Sequence, residues 1–212
     1  MIFRTLSFFD LELFLMGMIP MCPVYGLSLT NRCSQSQGGL IDMVFTTNRA
    51  LHSRGVSILM KRLTPIMNVE LQRNGIKSKL DADEMALVGW VHDFGYLLDE
   101  DPDDHAAVMG RLMDKEDMPY SMVVARHGDP GKLYTPVDLM LNVCDMSIDG
   151  SGRLVTLDMR IQDVIDRWGV DHCRVDGVKR MKGAIEASTY WLSLGDAIHE
   201  MPEFPGHQQL TN

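Results

Sequence analysis

A histidine and an aspartate stand side by side at His92 and Asp93, inside the otherwise apolar stretch WVHDFGY. Both side chains are costly to bury without a partner, and a divalent metal ion is one of the few partners that satisfies both. A His-Asp pair alone arises often by chance, so its surroundings decide its meaning. An upstream helix-like segment carries His52, and later segments carry three more candidate ligands at an inward face or an end: His105, His127 and Asp145.

This ordered set of residues resembles the HD superfamily of metal-dependent phosphohydrolases. The resemblance covers roughly residues 43 to 170. Within it, LVGWVHDFGY is similar to the family's helix that ends in His-Asp, and HAAVMGRLM and LMLNVCDMSIDGSG are similar to its later ligand helices. The resemblance implies an all-α fold, a compact single-domain helical bundle of the HD-domain type.

The resemblance also implies two neighbouring metal positions that share Asp93. The primary site would be formed by His52, His92, Asp93 and Asp145, and the second would be completed by His105 and His127. Nitrogen and carboxylate ligands without thiolates suit one or two divalent ions such as Mn, Fe, Mg, Ni or Zn.

The reaction implied by this site is hydrolysis of a phosphomonoester or a nucleotide phosphoanhydride by a metal-bound hydroxide. His92 and Asp93 would be catalytic, and the partner would be a small phosphorylated metabolite or nucleotide. The sequence assigns no substrate-binding residues.

Two alternatives stay open, and the first depends on a single residue. Many family members carry a lysine after the glycine that follows His-Asp, whereas here Gly95 is followed by Tyr96. A phenol donates a hydrogen bond but brings no charge. The chain could therefore be a non-catalytic or weakly active HD module that keeps its metal and binds or senses a ligand. The second alternative is a helical interaction protein whose histidines are ordinary core residues.

Helical periodicity predicts the elements that must position these residues. Apolar residues recur at spacings near 3.6 from Met43 to Leu63, on the face that carries His52. Asp81 predicts the start of a helix that is apolar on every side and ends at the His-Asp pair. Both side chains can reach one ion only near that helix end, where the backbone relaxes around Gly95.

Two shorter helices are predicted to carry the next two histidines. Asp103 or Asp104 would cap a helix with His105 in its first turn. Pro119 suits the first turn of the following helix, and His127 lies where that helix meets a loop.

The last candidate ligand is predicted to lie on a well-marked helix. Thr135-Pro136-Val137-Asp138 is a helix start, and this helix would run to Asp145. Amphipathic helices follow at 157–168 and at 181–192, where they would serve for packing. No strand pattern is long enough to build a sheet.

The composition is that of an ordinary globular protein. The 212 residues are 45% hydrophobic and 23% charged, which suffices for one domain with a sizeable core. The net charge of −9, without a basic stripe, disfavours binding of long nucleic acids. The polar stretch SLTNRCSQSQGG separates a poorly readable N-terminal extension, 1–42, from a domain at 43–200, which is followed by a tail at 201–212.

The cysteines and the first residues bear on the compartment. Four cysteines without a Cys-x-x-Cys spacing disfavour a zinc ribbon and suit a reducing cytoplasm. The apolar run between Arg4 and Ile19 is interrupted by Asp10 and Glu12, so it is interpreted neither as a targeting segment nor as a membrane span. A cytoplasmic protein with no membrane partner is expected.

Overall fold

The computed structural model describes residues 39–97, 104–201 and 204 of the chain. Its regular elements, numbered in chain order, are α1 (Gly39–Arg73), α2 (Ala82–Val91), α3 (His105–Lys115), α4 (Ser121–Ala125), α5 (Pro136–Met146), α6 (Leu157–Trp168), α7 (Cys173–Glu186) and α8 (Trp191–His199), with a short 3-10 turn at Phe94–Leu97. These ranges contain no strand, only an isolated antiparallel bridge between Ile148 and Leu154. The predicted all-α fold class is confirmed.

Contacts divide the chain into two units, Met1–Val44 and Phe45–Asn212. Of the first unit, the structure describes the backbone of residues 39–44, at the beginning of α1. The second unit is a helical domain with a core of its own. Most of the predicted extension at 1–42 and most of the predicted tail at 201–212 lie outside the described residues, so those boundaries remain predictions.

Helices α2 and α5 form the centre of this domain. Both are buried along most of their length, and α5 contacts α2, α4 and α7. A helix that is apolar on every side is stable only when other elements surround it. Met140 and Leu141 are fully buried, and truncation of such a residue to alanine typically costs about 2–5 kcal/mol. The core therefore fixes the backbone of α5, the helix that carries Asp145.

The starts of α2 and α5 are as predicted. The Asp81 carboxylate accepts hydrogen bonds from the backbone N–H groups of Asp83 and Glu84, at 2.8 and 3.0 Å. Thr135 forms a reciprocal capping box with Asp138, and Pro136 is the first residue of the helix. An N-cap of this kind is worth roughly 0.5–2 kcal/mol, so both helices begin at defined residues.

The start of α3 differs from the prediction. Asp104 occupies the N-cap position, but its side chain accepts no hydrogen bond from the backbone N–H groups of the first turn, because its backbone is not in the extended conformation that capping requires. Its carboxylate lies 3.3 Å from the guanidinium of Arg111 instead. The other predicted cap, Asp103, lies outside the described residues.

The start of α4 and the break between α7 and α8 also differ from the prediction. Pro119 is outside α4, which begins at Ser121 because Tyr120 adopts a left-handed φ of 63°. The helix predicted over 181–192 is two helices, since α7 ends at Glu186 and α8 begins at Trp191. No proline or glycine marks that break.

None of the helices in the described ranges combines the length and the apolar character that crossing a bilayer requires.

Candidate metal centre

The His-Asp pair follows α2 directly, with His92 as the C-cap and Asp93 before the 3-10 turn. Gly95, within that turn, contacts the start of α3 at its backbone. A Cβ atom at Gly95 would lie 1.8 Å from the carbonyl oxygen of His105, so only glycine permits this approach. The close contact brings His105 beside Asp93.

Helix α1 approaches α2 through a second glycine. A Cβ atom at Gly89 would lie 2.9 Å from the Cα atom of Ser57, which places the two backbones in contact. His52 lies on α1 little more than one turn before Ser57 and is 2% exposed. The crossing therefore directs the His52 ring toward the end of α2.

His52, His92, Asp93 and Asp145 form one group, which we call the first cluster. His52 Nε2 lies 2.9 Å from Asp145 Oδ1 and 3.8 Å from Asp93 Oδ2. His92 Nε2 lies 3.5 Å from Asp93 Oδ1 and 3.9 Å from Asp145 Oδ1. The donor atoms of His52, His92 and Asp93 all lie within 4.8 Å of one another, a spacing that could hold a metal ion.

Asp93, His105 and His127 form the second cluster. Asp93 Oδ1 lies 3.5 Å from His105 Nε2 and 3.4 Å from His127 Nε2. The two Nε2 atoms are 3.2 Å apart. These three donor atoms also satisfy the spacing of a metal site, and Asp93 belongs to both clusters.

The tautomers of two histidines follow from their hydrogen bonds. His92 Nδ1 donates to the Gly89 carbonyl at 2.8 Å, and His127 Nδ1 donates to the Val124 carbonyl at 2.7 Å. A carbonyl oxygen only accepts, so Nδ1 must carry the proton and Nε2 of the neutral ring presents a lone pair. This arrangement, with one ring nitrogen donating to the backbone and the other directed inward, is typical of metal-ligating histidines.

Two histidine nitrogens have no suitable partner among the protein groups around them. His92 is 0% exposed, and its Nε2 makes no hydrogen bond. His52 faces acceptors at both nitrogens, the Asp149 carbonyl at 3.3 Å and Asp145 at 2.9 Å, although a neutral ring carries only one proton. An unpaired buried polar atom is costly, and a cation among these atoms would satisfy both rings. The donors present therefore fit a divalent ion.

Both carboxylates remain charged, although Asp93 is buried and Asp145 is only partly exposed. Burial raises the pKa of Asp93, but the facing rings of His92 and His127 and the Arg49 guanidinium outweigh it and hold that pKa well below its usual range. Burial likewise raises the pKa of Asp145, and the hydrogen bond to His52 contributes to holding it well below its usual range. Both side chains thus present anionic oxygens to the clusters.

Arg49 is a functional candidate that sequence reasoning missed. Its Nη1 donates to Asp93 Oδ2 at 2.6 Å, and its guanidinium lies 3.8 Å from the centre of the Tyr96 ring. Tyr96 stacks on His105 at 3.7 Å between ring centres. Arg49 precedes His52 by three residues, so helical spacing alone places it on the same face, and that spacing could have indicated it.

The clusters open into a cleft of about 1440 Å³. Its lining includes eight of the 20 basic residues of the chain and seven of the 29 acidic ones. The cleft is therefore far less negative than the chain as a whole, which carries a net charge of −9. Such a nearly neutral lining repels an anionic ligand less than the chain as a whole does.

All six residues predicted from the sequence lie at this place: His52, His92, Asp93, His105, His127 and Asp145. Comparison of the chain with protein-family models, with curated proteins and with solved structures gives no match. Any function for this site must therefore be inferred from the chemistry of its residues. His52, His92, Asp93, His105 and His127 could hold a metal ion, and the role of each residue remains a prediction.

Proposed function

We propose that the chain is a metal-dependent phosphohydrolase of the HD type, which hydrolyses a small phosphorylated metabolite or nucleotide. The observation that carries the proposal is the unpaired Nε2 of His92, fully buried beside two anionic carboxylates. A structural histidine at that depth would have a partner at each nitrogen. A divalent cation at this place would explain three features together. These are the lone pair on His92 Nε2, the charges of the two carboxylates, and the Nδ1 hydrogen bonds that turn the Nε2 atoms of His92 and His127 inward.

The two clusters support a centre with two metal positions. Asp93 contributes Oδ1 to the second cluster and Oδ2 to the side of His52, which supports Asp93 as the residue shared by the two positions. Two divalent cations held there would polarise a bound water and neutralise charge on a phosphate ester.

The charges near the clusters support a phosphate-bearing substrate. Arg49 presents a guanidinium next to Asp93, where a phosphate oxygen would meet a cation and planar N–H donors. The lining of the cleft holds further arginines that would face the rest of an anionic substrate: Arg153, Arg160, Arg167, Arg174 and Arg180.

One observation favours a second function, that of a metal-containing module which binds or senses a ligand without turnover. Burial raises the pKa of Tyr96, so the phenol stays protonated at neutral pH and supplies no charge beside the clusters. Its ring lies between Arg49 and His105, where it can orient these two side chains. A leaving group would then receive no charged assistance from residue 96.

Turnover by metal-loaded protein tests the proposal. The protein is stripped with chelator, reloaded with Mn²⁺, Mg²⁺, Fe²⁺, Ni²⁺ or Zn²⁺, and assayed against p-nitrophenyl phosphate and a panel of nucleotides. Metal-dependent turnover that Asp93→Asn abolishes and Asp158→Asn preserves would support a phosphohydrolase, since Asp158 pairs with Lys182 at the surface and does not line the cleft. Metal binding without turnover of any compound would favour the ligand-binding module. Absence of metal binding would overturn both.

A further inference from the structure

His127 lies in a short segment after α4, and both of its chain neighbours are held by side chains of α5. Arg126 donates from Nε and Nη2 to the two oxygens of Asp138, at 2.6 and 2.7 Å. On the other side of His127, the backbone N–H of Gly128 donates to Asn142 Oδ1 at 2.8 Å. The backbone of His127 is thus fixed on both sides by one helix.

Asp138 and Asn142 are themselves held rigidly. Asp138 is 1% exposed, and its Oδ2 also accepts from the backbone N–H and the hydroxyl of Thr135, each at 2.7 Å. Asn142 is 2% exposed, and its Nδ2 donates to the Asp138 carbonyl at 2.8 Å. With their hydrogen bonds directed in this way, neither side chain can change rotamer without breaking several contacts.

The same face of α5 reaches both clusters. Asp138, Asn142 and Asp145 are spaced at i, i+4 and i+7, so they line one side of the helix. The first two hold the segment of His127, which belongs to the second cluster. The third contacts His52, which belongs to the first cluster. Helix α5 therefore sets the distance between the two clusters.

From this geometry we infer that Asp138 and Asn142 are positioning residues for the second metal position, acting through His127. The inference deepens the proposed function and rests on it, since it assumes that the clusters bind metal. Neither residue touches the second cluster directly. Their effect is to place His127 Nε2 beside Asp93 and His105, at 3.4 and 3.2 Å. Supporting groups of this kind commonly change metal affinity by about 10–100-fold.

Asn142→Ala removes the acceptor of the Gly128 N–H and leaves every candidate ligand in place. Mn²⁺ titration of the chelator-treated full chain, followed by calorimetry, measures the number of ions and the affinity of each. In the wild type we expect two ions. In Asn142→Ala we expect the second ion to bind at least about tenfold more weakly and the first to bind unchanged.

A matched control separates positioning from general stability. Asn68 also bridges backbone groups, because its side chain bonds both the N–H and the carbonyl of Leu80, at 2.8 and 3.0 Å, within the segment that joins α1 to α2. Asn68→Ala should lower the thermal midpoint of the metal-free protein and leave both metal affinities unchanged. If Asn142→Ala shows the same pattern, its role is structural only and the inference is overturned.

A second variant covers the case in which Asn142→Ala does not fold. Arg126→Lys keeps the positive charge next to Asp138 but loses the two-pronged geometry of the guanidinium. It should weaken the second ion selectively, and wild-type affinity for both ions would overturn the inference. A wild-type protein that binds only one ion would also overturn it. If the wild type binds none, the proposed function itself fails.

Discussion

Asp93 divides its two oxygens between different neighbours. Oδ1 faces the Nε2 atoms of three histidines, whereas Oδ2 accepts from Arg49 at 2.6 Å. From the sequence alone, a ligand cluster without its ion is expected to be self-repelling, so that loss of a carboxylate costs the metal-free protein nothing. Arg49 changes that expectation because it gives Asp93 a partner that is present without metal.

We predict that Asp93→Asn lowers both the stability of the metal-free protein and its response to metal. The free energy of unfolding should fall by about 1–3 kcal/mol, since a charged hydrogen bond is lost but the Arg49 side chain remains 22% exposed to water. Thermal melts in chelator and in excess Mn²⁺ measure both effects. Metal should raise the midpoint of the wild type and barely move that of the variant. An equal rise in both proteins would falsify the ligand role of Asp93.

Arg49 is expected to contribute to phosphate binding more than to metal binding. Arg49→Met removes the guanidinium beside Asp93 while it keeps much of the apolar stem. We predict that the Mn²⁺-loaded variant binds inorganic phosphate at least about tenfold more weakly, as expected for the loss of a charged hydrogen bond. Competition of phosphate against p-nitrophenyl phosphate hydrolysis, or calorimetry, measures the affinity.

Tyr96 supplies the matched comparison for Arg49. Tyr96→Phe keeps the ring between Arg49 and His105, so phosphate affinity should change little. Tyr96→Leu removes the aromatic face and should reproduce part of the Arg49→Met effect, because the guanidinium loses its stacking partner. Unchanged phosphate affinity in both Arg49→Met and Tyr96→Leu would contradict the assigned role.

At the level of elements, α1 is interlocked with the turn that follows α5. Gly152 has a φ of +79°, and a Cβ atom there would lie 2.7 Å from the carbonyl oxygen of Leu51. In the reverse direction, a Cβ atom at Gly55 of α1 would lie 2.6 Å from Cγ2 of Ile148, which follows α5. The same turn presents the Asp149 carbonyl to His52 Nδ1. This packing orients His52 toward the first cluster.

Gly152→Ala should therefore destabilise the fold and weaken binding to the first cluster. Gly75→Ala is the matched control, because Gly75 has a similar φ of +77° but nothing within 4 Å of its Cβ position. Both variants incur the cost of positive φ, about 1 kcal/mol. Urea unfolding should show a clearly larger loss for Gly152→Ala, together with weaker Mn²⁺ affinity. Equal losses of unfolding free energy in the two variants would mean that the close approach of Gly152 to α1 adds nothing to the cost of the substitution.

Local patterns predicted the central helices but not every boundary. Asp81 and the Thr135–Asp138 capping box begin α2 and α5 as the sequence indicates, since a cap acts within four residues. Tyr120 and the break after Glu186 escaped prediction, because a left-handed residue and an unmarked helix end are decided by packing against distant elements.

The same distinction applies to the site. His52, His92 and Asp145 could be chosen from the sequence because their types and order resemble the pattern of a known family. The contacts of Arg49 with Asp93 and of Arg126 with Asp138 join residues 44 and 12 positions apart, and no local pattern encodes such partners. The carbonyl oxygens that set the histidine tautomers leave no trace in side-chain identity at all.

At the scale of the whole molecule, the buried carboxylates link folding to pH. The folded-state pKa values of Asp93 and Asp145 lie well below the usual range, whereas aspartates of the unfolded chain titrate near about 3.9. Their stabilising effect is thus fully present above the unfolded pKa and is lost as the pH falls through the folded one.

We therefore predict that Asp145→Asn makes the metal-free protein less sensitive to acid. The difference in free energy of unfolding between wild type and variant should shrink as the pH falls below about 4, because the unfolded wild type then takes up a proton at this position while the folded carboxylate stays ionised until the pH reaches its lower pKa. Urea unfolding in chelator from pH 7 down to pH 2.5 measures the difference. A gap that persists or widens in acid would show that the low pKa of Asp145 contributes nothing to stability.

The uneven distribution of charge between the cleft and the chain has a kinetic consequence. With a net charge of −9, the molecule repels a small phosphorylated anion at long range, and the basic residues of the cleft attract it only nearby. Dissolved salt screens distant charges first, since the Debye length shortens from about 30 Å at 0.01 M to about 10 Å at 0.1 M. Capture of such an anion should accordingly be faster at about 0.1 M salt than at 0.01 M, and slow again only when the ionic strength becomes high enough to weaken the contacts inside the cleft.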